Sequence, residues 1–273
     1  MGRVERRMYK QRRRRKWRLF LLILLAAALV LAWKLLPEGF ISEHIPMNTK
    51  TPIASFDQTV ETREMTLPAE TWYAIQTGVF YSEDAAKQKV DAYASRGAPG
   101  TIVRDGDKWR VFIACYETEA DASSVRTRLE SHQRVDTYLY AWKLPEVRLR
   151  LTGKAGQLDT VEAGFTLLVS AAAILRDAAI DLDAAQISNA EAASAVQSLD
   201  DGIALWEETV RSRFGRTAPE LLKSMLAITD AWEARRDAIL AAGNATDLSA
   251  ALKAQAMGMY DDLISWRNAM LAQ

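Results

Sequence analysis

An uncharged run of fifteen residues, Leu19–Trp33, directly follows the basic block Arg12–Lys16. Counted from Trp17 to Leu36, the segment is twenty residues long. As a helix it would measure roughly 30 Å, about the thickness of the hydrocarbon layer of a bilayer. A tryptophan near each end suits the two membrane interfaces. The run therefore predicts a transmembrane helix over residues 19–36, with lipid contacts along residues 17–36.

The distribution of charge predicts the orientation of this helix. Residues 1–18 carry ten Lys or Arg against one acid, whereas the rest of the chain carries 25 basic and 34 acidic residues. An excess of Lys and Arg marks the cytoplasmic side of a membrane helix. We therefore expect a cytoplasmic tail over 1–18, a single-pass anchor in the cell membrane, and an extracytoplasmic remainder. A cleaved signal peptide is disfavoured because Trp33–Pro37 offers no small-x-small cleavage site.

Residues 37–70 are predicted to be a linker. They contain four of the seven prolines and many Ser and Thr, with no sustained helical or alternating pattern. A coil of this length has a root-mean-square reach of roughly 30 Å. Whatever follows can therefore act at some distance from the bilayer.

Residues 71–144 show the order β-α-β-β-α-β. A β-prone run from Trp72 leads to a helix that begins at Ser82, and an Asp-Gly turn at Asp105 separates two further strands. A second helix begins at Thr118, and a last strand covers 136–142. This order predicts a ferredoxin-like fold, in which four antiparallel strands carry both helices on one face. The overall fold class is therefore α+β.

The two halves of this segment carry a recognisable pattern. Tyr73–Ser82, with the sequence YAIQTGVFYS, and the strand Trp109–Tyr116, with the sequence WRVFIACY, resemble the two halves of a SPOR (sporulation-related repeat) domain. Ala114 and Cys115 stand where the family usually has Gly and Pro. The resemblance implies binding of peptidoglycan glycan strands, with a preference for the peptide-stripped strands found where cells divide.

Strand alternation predicts the binding surface, because successive side chains point to opposite faces of a sheet. If Ile75 and Ile113 face the helices, the other face carries amide, guanidinium and aromatic groups. Rings of this kind can lie beneath a sugar while polar groups bind its oxygens. By resemblance to the family, Gln76 and Trp142 belong to this site, and alternation adds the remaining residues. The predicted glycan-binding set is Gln76, Arg110, Phe112, Tyr138, Tyr140 and Trp142.

Two other interpretations of this face stay open. The C-terminal helices could cover it, which would make the aromatic residues an interdomain core. An RNA-recognition module stacks bases on a similar four-stranded sheet. We expect no nucleic acid partner, because an exported segment with an excess of acidic residues repels polyphosphate.

Residues 151–273 are predicted to form a four-helix bundle. Apolar residues recur there in steps of three and four along four successive stretches, with short loops between them. Trp206, Trp232 and Trp266 lie on the apolar stripes and are expected in the core. Three pairs of adjacent acids, including Asp200-Asp201 and Asp261-Asp262, are expected on solvated faces.

No catalytic or metal-binding pattern is found in the sequence. The single cysteine, Cys115, is expected to be a small buried residue, and two histidines without a second thiol give no zinc motif. We therefore expect no enzyme activity and no cofactor. The leading hypothesis is a membrane protein that binds septal peptidoglycan in cell division or sporulation. The alternative is an envelope scaffold that binds an envelope or division protein through residues 151–273.

Overall fold

The computed structural model describes residues 59–94 and 99–272, which belong to one compact unit. The basic tail, the expected anchor over 19–36 and the linker as far as residue 58 lie outside the described residues. The assignments made there from the sequence remain predictions.

Six strands and six α-helices make up the described chain. The strands are β1 (Val60–Leu67), β2 (Glu70–Phe80), β3 (Thr101–Asp105), β4 (Lys108–Tyr116), β5 (Tyr138–Leu144) and β6 (Val147–Lys154). The helices are α1 (Glu83–Ala94), α2 (Glu119–Arg128), α3 (Ala155–Asp183), α4 (Asn189–Phe214), α5 (Glu220–Leu240) and α6 (Ala245–Leu271). A π-helical turn, Leu129–Gln133, extends α2, and a 3-10 turn, Gly215–Thr217, precedes α5. The mixed α+β class is confirmed.

A four-stranded antiparallel sheet with the order β3-β4-β2-β5 forms the first half of the fold. Helices α1 and α2 pack on one of its faces. Gly106, at a positive φ of 62°, closes the β3–β4 hairpin between Asp105 and Lys108. The Thr118 hydroxyl caps α2 by accepting a hydrogen bond from the amide of Asp121 at 3.1 Å. The sheet therefore has the ferredoxin-like strand order that the sequence predicts.

The end of the predicted linker is a strand, which corrects the boundary at residue 70. Strand β1 pairs antiparallel with β6 along the whole of both, with Leu67 opposite Val147 and Val60 opposite Lys154. Both strands alternate apolar or half-buried positions with exposed polar ones. That pattern fits a ribbon with one packed face and one solvated face. Such a polar strand is easily mistaken for a coil in a proline-containing stretch.

The β1–β6 ribbon continues the β2–β5 pair beyond a break at two prolines. Pro68 lies between β1 and β2, and Pro145 lies between β5 and β6. Proline has no N–H to donate to a ladder, so a proline in each strand interrupts the pairing at the same level. Two sheets result where an uninterrupted pair would have made one.

The four C-terminal helices form the predicted bundle, but its boundary is later than expected. Residues 151–154 complete β6, and the first bundle helix starts at Ala155. Helix α3 packs against α4 and α6, and α5 packs against α6. The apolar stripes predicted three tryptophans in the core of the bundle. That prediction is confirmed, because Trp206, Trp232 and Trp266 are all buried.

Helix α3 is, within 59–94 and 99–272, the helix that is long and apolar enough to cross a membrane by length and composition. It packs on two helices of the bundle, and half of its most apolar stretch is buried inside the protein. The core helix of a soluble domain passes the same test, so this observation is weak evidence for a membrane span.

The described chain has two hydrophobic cores, one on each face of the four-stranded sheet. The small core lies under α1 and α2 and contains Ile75, Tyr93, Ile113, Ala114, Tyr116 and Ala122. The large core begins at the opposite face with Trp72, Phe112 and Trp142 and continues without interruption through the bundle. The sheet is therefore packed between helices on both sides.

The acidic pairs are not simply solvated. Asp200 binds Arg236 at 2.8 Å and accepts a hydrogen bond from the indole N–H of Trp232 at 3.1 Å, which links α4 to α5. Asp262 pairs with Arg235 at 2.5 Å, which links α6 to α5. The expectation of solvated faces is wrong for these residues, because the members of each pair point in different directions and one of them meets a neighbouring helix.

Candidate functional site

The six predicted binding residues come from three neighbouring strands. Strand β2 lies between β4 and β5, so Gln76 is paired with Phe112 on one side and with Tyr138 on the other. One step further along the same face, Ala74 lies opposite Tyr140, and then Trp72 lies opposite Trp142. The fold therefore brings the predicted set together on the face opposite α1 and α2.

Arg110 organises the polar end of this face. Its Nη1 donates to Oε1 of Gln76 at 2.8 Å, and its Nε and Nη2 bind Oδ2 of Asp105 at 2.7 and 2.6 Å. Its guanidinium carbon also lies 4.8 Å from the ring centre of Tyr140. The side chain of Arg110 is 20% exposed. A guanidinium carries five N–H donors, so two remain for a ligand after these three contacts.

An aromatic row connects the polar end to the middle of the sheet. The ring of Phe112 lies 5.4 Å from that of Tyr140 and 5.1 Å from that of Trp142. These separations are typical of packed aromatic pairs. Tyr138 continues the row outward on β5 and is 63% exposed.

Helix α6 covers the other end of the same face. It contacts β3, β4 and β5, and Tyr260 is its central aromatic residue. The ring of Tyr260 stacks on Trp72 with centroids 3.9 Å apart and meets the edge of Trp142 at 5.6 Å. Arg176 of α3 lies over the same Trp72 ring at 4.5 Å. Side chains of the bundle therefore occupy the positions where a ligand would stack.

A buried arginine of α6 secures this arrangement at the proline break. Nη1 of Arg267 donates to the carbonyl oxygen of Pro68 at 2.6 Å and to that of Pro145 at 3.0 Å. The residue is 1% exposed, and burial lowers the pKa of its guanidinium, with Glu70 opposing that shift. One charged side chain thereby satisfies two carbonyl groups that the interrupted ladder leaves without partners.

The face is consequently open at one end only. Tyr138 is exposed and Tyr140 and Arg110 are half-buried, whereas Gln76, Phe112 and Trp142 are buried. The expectation of an open face is wrong for those last three. The aromatic surface of Phe112 and Trp142 packs as well against other side chains as against a sugar. The amide of Gln76 accepts a hydrogen bond from Arg110. The alternative interpretation, in which the C-terminal helices cover the face, describes the Trp142 end. The binding roles themselves stay predictions.

Three residues of this region were not singled out in the sequence. Trp72 lies two positions before Ala74, so alternation places it on the same face. Tyr260 follows Met259, a member of the apolar stripe of α6, and Arg267 follows Trp266 in the same way. Residues that flank a stripe can face a second partner. Their position next to a stripe residue was the sequence signal that could have identified Tyr260 and Arg267.

Cys115 is a buried residue of the same interface, as expected. It is 4% exposed and packs in the large core. Burial raises the pKa of its thiol to about 12. The reactive thiolate is therefore not formed at neutral pH. Among residues 59–94 and 99–272, no group of three or more His, Cys, Asp or Glu side chains is placed to hold a metal ion.

A family model for the SPOR domain matches residues 69–140. Residues 69–140 form a SPOR domain. The resemblance seen over 71–144 is confirmed, and the domain begins with β2 and ends within β5.

A solved structure also matches part of the chain. It is the peptidoglycan-binding domain of the cell wall lytic enzyme CwlC of B. subtilis, 15% identical, with 26% of this chain and 90% of that chain covered. The TM-score is 0.24, which is too low to bear on the fold. No curated protein matches the chain.

Proposed function

We propose that the SPOR domain binds glycan strands of peptidoglycan through the open end of its sheet face. The family match supports the ligand class. The exposed Tyr138 carries the assignment of the surface, because it is paired with Gln76, to which Arg110 donates a hydrogen bond. A tyrosine ring presents a flat apolar area and a hydroxyl to a sugar, and it loses little conformational entropy on binding. In this proposal the sugar stacks on the exposed ring of Tyr138, and the two remaining donors of Arg110 bind its hydroxyl and carbonyl oxygens.

The proposed activity is binding and not cleavage. Hydrolysis of a glycosidic bond uses two carboxyl groups on opposite sides of that bond. The carboxylate beside this site, Asp105, accepts two contacts from Arg110 at 2.6 to 2.7 Å. An acid in such an ion pair holds the guanidinium in place and is poorly suited to donate a proton.

We further propose that residues 19–36 anchor the protein in the cell membrane, with residues 1–18 in the cytoplasm. The uncharged run and the one-sided basic tail support this topology. The SPOR domain then lies outside the cytoplasm and meets the wall. Its preferred ligand is the peptide-stripped glycan of a division septum or of a sporulation septum.

A scaffold function is the second candidate, and the covered half of the sheet face favours it. Because the core is continuous from Trp72 and Trp142 into the bundle, the aromatic row holds the two halves of the protein together. The outer faces of α4 and α5 are then available for an envelope or division protein. This candidate predicts that the open end of the face contributes nothing to localisation.

Retention on purified glycan strands distinguishes the two candidates. The strands are freed of stem peptides with an amidase, and the whole chain is compared with its Tyr138→Ala and Leu205→Ala variants. Leu205 of α4 is a matched control, since it is also 63% exposed and lies in the bundle. The proposal expects weaker retention of Tyr138→Ala alone. Equal retention of all three proteins overturns the assigned surface and leaves the scaffold function.

A further inference from the structure

The entry point of the chain and the open end of the sheet face lie at opposite ends of one pair of strands. Val60 is the first residue of β1 and follows the expected anchor and linker in the chain. Tyr138, the exposed residue of the proposed site, is the first residue of β5. We call the pair formed by β1–β2 on one side and β5–β6 on the other the long ladder.

Strand register makes the long ladder continuous except at the proline break. Its two sides run antiparallel, with β1 opposite β6 and β2 opposite β5. From one end to the other, the paired residues include Val60 with Lys154, Leu67 with Val147, Glu70 with Leu144, and Gln76 with Tyr138. Each side is therefore an extended chain that leads from the entry point to the level of the proposed site.

Tension between Val60 and Tyr138 acts along these strands. The hydrogen bonds of an antiparallel pair are perpendicular to the strands. A pull on the N-terminal ends of both strands, in opposite directions, slides one strand along the other, so many of these bonds are loaded at the same moment. A pull on two paired residues at one end opens the pair one residue at a time. The positions of Val60 and Tyr138 therefore give the more resistant of the two geometries.

The proline break interrupts the long ladder, and Arg267 of α6 links the two strands there. Proline has no N–H, so Pro68 and Pro145 cannot donate to the ladder. A single nitrogen of Arg267, Nη1, donates to the carbonyl of Pro68 at 2.6 Å and to that of Pro145 at 3.0 Å. Hydrogen bonds from a charged donor are stronger than neutral ones, and the side chain is 1% exposed, so water does not compete for them.

Side chains also fasten β1 near the point where the chain enters it. The hydroxyls of Thr62 and Thr152 are hydrogen-bonded across the ladder at 2.9 Å. Arg63 pairs with Asp159 of α3 at 2.6 Å and lies 3.6 Å from Glu162 of the same helix. The packed face of β1 joins the large core. Strand β1 is therefore held against both β6 and α3, which opposes peeling of its free end.

We propose that the long ladder is a load-bearing element, which carries tension between the membrane and the wall. The inference rests on the proposed function, because the anchor and the glycan supply the load at the two ends. The four bundle helices follow residue 154, so they lie outside the chain segment between Val60 and Tyr138. The bundle therefore stays folded while the strand pair carries the tension.

Single-molecule pulling with covalent handles tests this element without a ligand. The handles are attached to introduced cysteines on the whole chain in a detergent micelle, and the native Cys115 stays unlabelled because it is 4% exposed. Thr59→Cys with Asp136→Cys loads the ladder along its length, whereas Thr59→Cys with Lys154→Cys opens it from one end. Thr59 and Asp136 are exposed, and Lys154 is half-buried. We expect the lengthwise pull to rupture the protein at a severalfold higher force.

Two variants separate mechanical strength from overall stability. Arg267→Met removes the link across the proline break and should lower the rupture force in the lengthwise pull alone, because the other pull opens the Val60 end first. Gly164→Ala is the matched control. It places a Cβ against Trp206 within the bundle, away from the ladder, and should leave both rupture forces unchanged.

Each outcome bears on a different statement. Equal rupture forces in the two geometries overturn the load-bearing role, as does unfolding of the bundle before the strand pair in the lengthwise pull. An unchanged force in Arg267→Met overturns the role of the arginine. The proposed function survives all three results, because it depends on retention by glycan strands. Loss of that retention in a protein with a strong ladder overturns the proposed function and removes the wall end of the load.

Discussion

The phenol ring of Tyr260 stacks on the indole of Trp72, with centroids 3.9 Å apart and ring planes 10° from parallel. This pair joins the SPOR domain to the last helix of the bundle. It lies on the same face as the row of predicted glycan-binding residues. The C-terminal helix α6 therefore covers one end of that face, where a ligand would otherwise stack.

Replacement of Tyr260 should destabilise the protein as a whole. Tyr260→Ala removes a buried ring from the centre of the large core, and we expect a loss of about 3 kcal/mol in the free energy of unfolding. Tyr260→Phe keeps the stack and loses only a long hydrogen bond of 3.5 Å to the carbonyl of Trp142. Denaturant unfolding followed by tryptophan fluorescence measures both changes. Equal midpoints for Tyr260→Ala and wild type would refute the shared core.

Arg267 should control the stability of the β1–β6 ribbon. Arg267→Met leaves the carbonyls of Pro68 and Pro145 buried without their donor, and we expect a loss of about 2 to 4 kcal/mol. Amide hydrogen exchange should accelerate most in β1 and β6, the paired strands on one side of the proline break. Arg267→Lys should restore part of the protection against exchange, because an ammonium can still donate to these carbonyls. The restoration should be incomplete, because the ammonium lacks the planar shape with which the guanidinium binds both of them. Equal exchange rates of β1 and β6 in Arg267→Met and in the wild type would count against this role.

Two glycines of the bundle should respond in opposite directions to alanine. A Cβ at Gly164 would lie 2.6 Å from ring atoms of Trp206, and the rigid indole cannot easily move away. Gly164→Ala should therefore lower the free energy of unfolding by about 1 to 3 kcal/mol. A Cβ at Gly202 would meet Leu167 at an ordinary 3.7 Å. Gly202→Ala should stabilise α4 by roughly 0.5 to 1 kcal/mol. Thermal unfolding of both variants checks the opposite signs, and shifts of the same sign would contradict the packing.

The helices and the sheet could be predicted from the sequence because their periodic patterns are local. Alternation placed Phe112 and Trp142 on one face and Ile113 on the other, and the structure agrees. The stripe of α3 was equally clear. Each of these patterns depends on residues within one element, so no knowledge of distant packing is needed.

The β1–β6 ribbon and the cover over the sheet face could not be predicted in the same way. Pairing of Thr62 with Thr152 joins strands about ninety positions apart, and neither strand has a strong apolar signal. An exposed aromatic surface such as that of Trp142 favours a partner that covers it, but a sugar and a helix can cover it equally well. Whether a helix or a sugar covers the surface depends on where Tyr260 lies in the tertiary structure, and no local sequence pattern determines that position.

Asp261 should make stability depend on pH in a narrow range. Burial raises the pKa of Asp261 from 3.8 to about 6, with Asp262 adding to the shift and Arg235 opposing it. Between these two values the folded protein binds the proton more tightly than the unfolded chain does. The contribution of this group to the free energy of unfolding therefore falls as the pH rises from about 4 to about 6.

The Asp261→Asn variant isolates this contribution because asparagine does not titrate. Its free energy of unfolding should increase relative to that of the wild type as the pH rises through that range. Urea unfolding at pH 4, 5 and 6.5 gives the comparison. A difference between the two proteins that does not change with pH would show that Asp261 titrates as it does in the unfolded chain.

Hydrogen exchange with and without glycan tests the central claim most directly. The claim is that the sugar strand binds at the Tyr138 end of the sheet face while α6 stays on the Trp142 end. We predict that stripped glycan slows amide exchange around residues 138–140 and 110 and leaves exchange in α6 unchanged. Protection at Trp72 and Trp142 together with faster exchange in α6 would contradict the account, because the helix would then have left the face to admit the ligand.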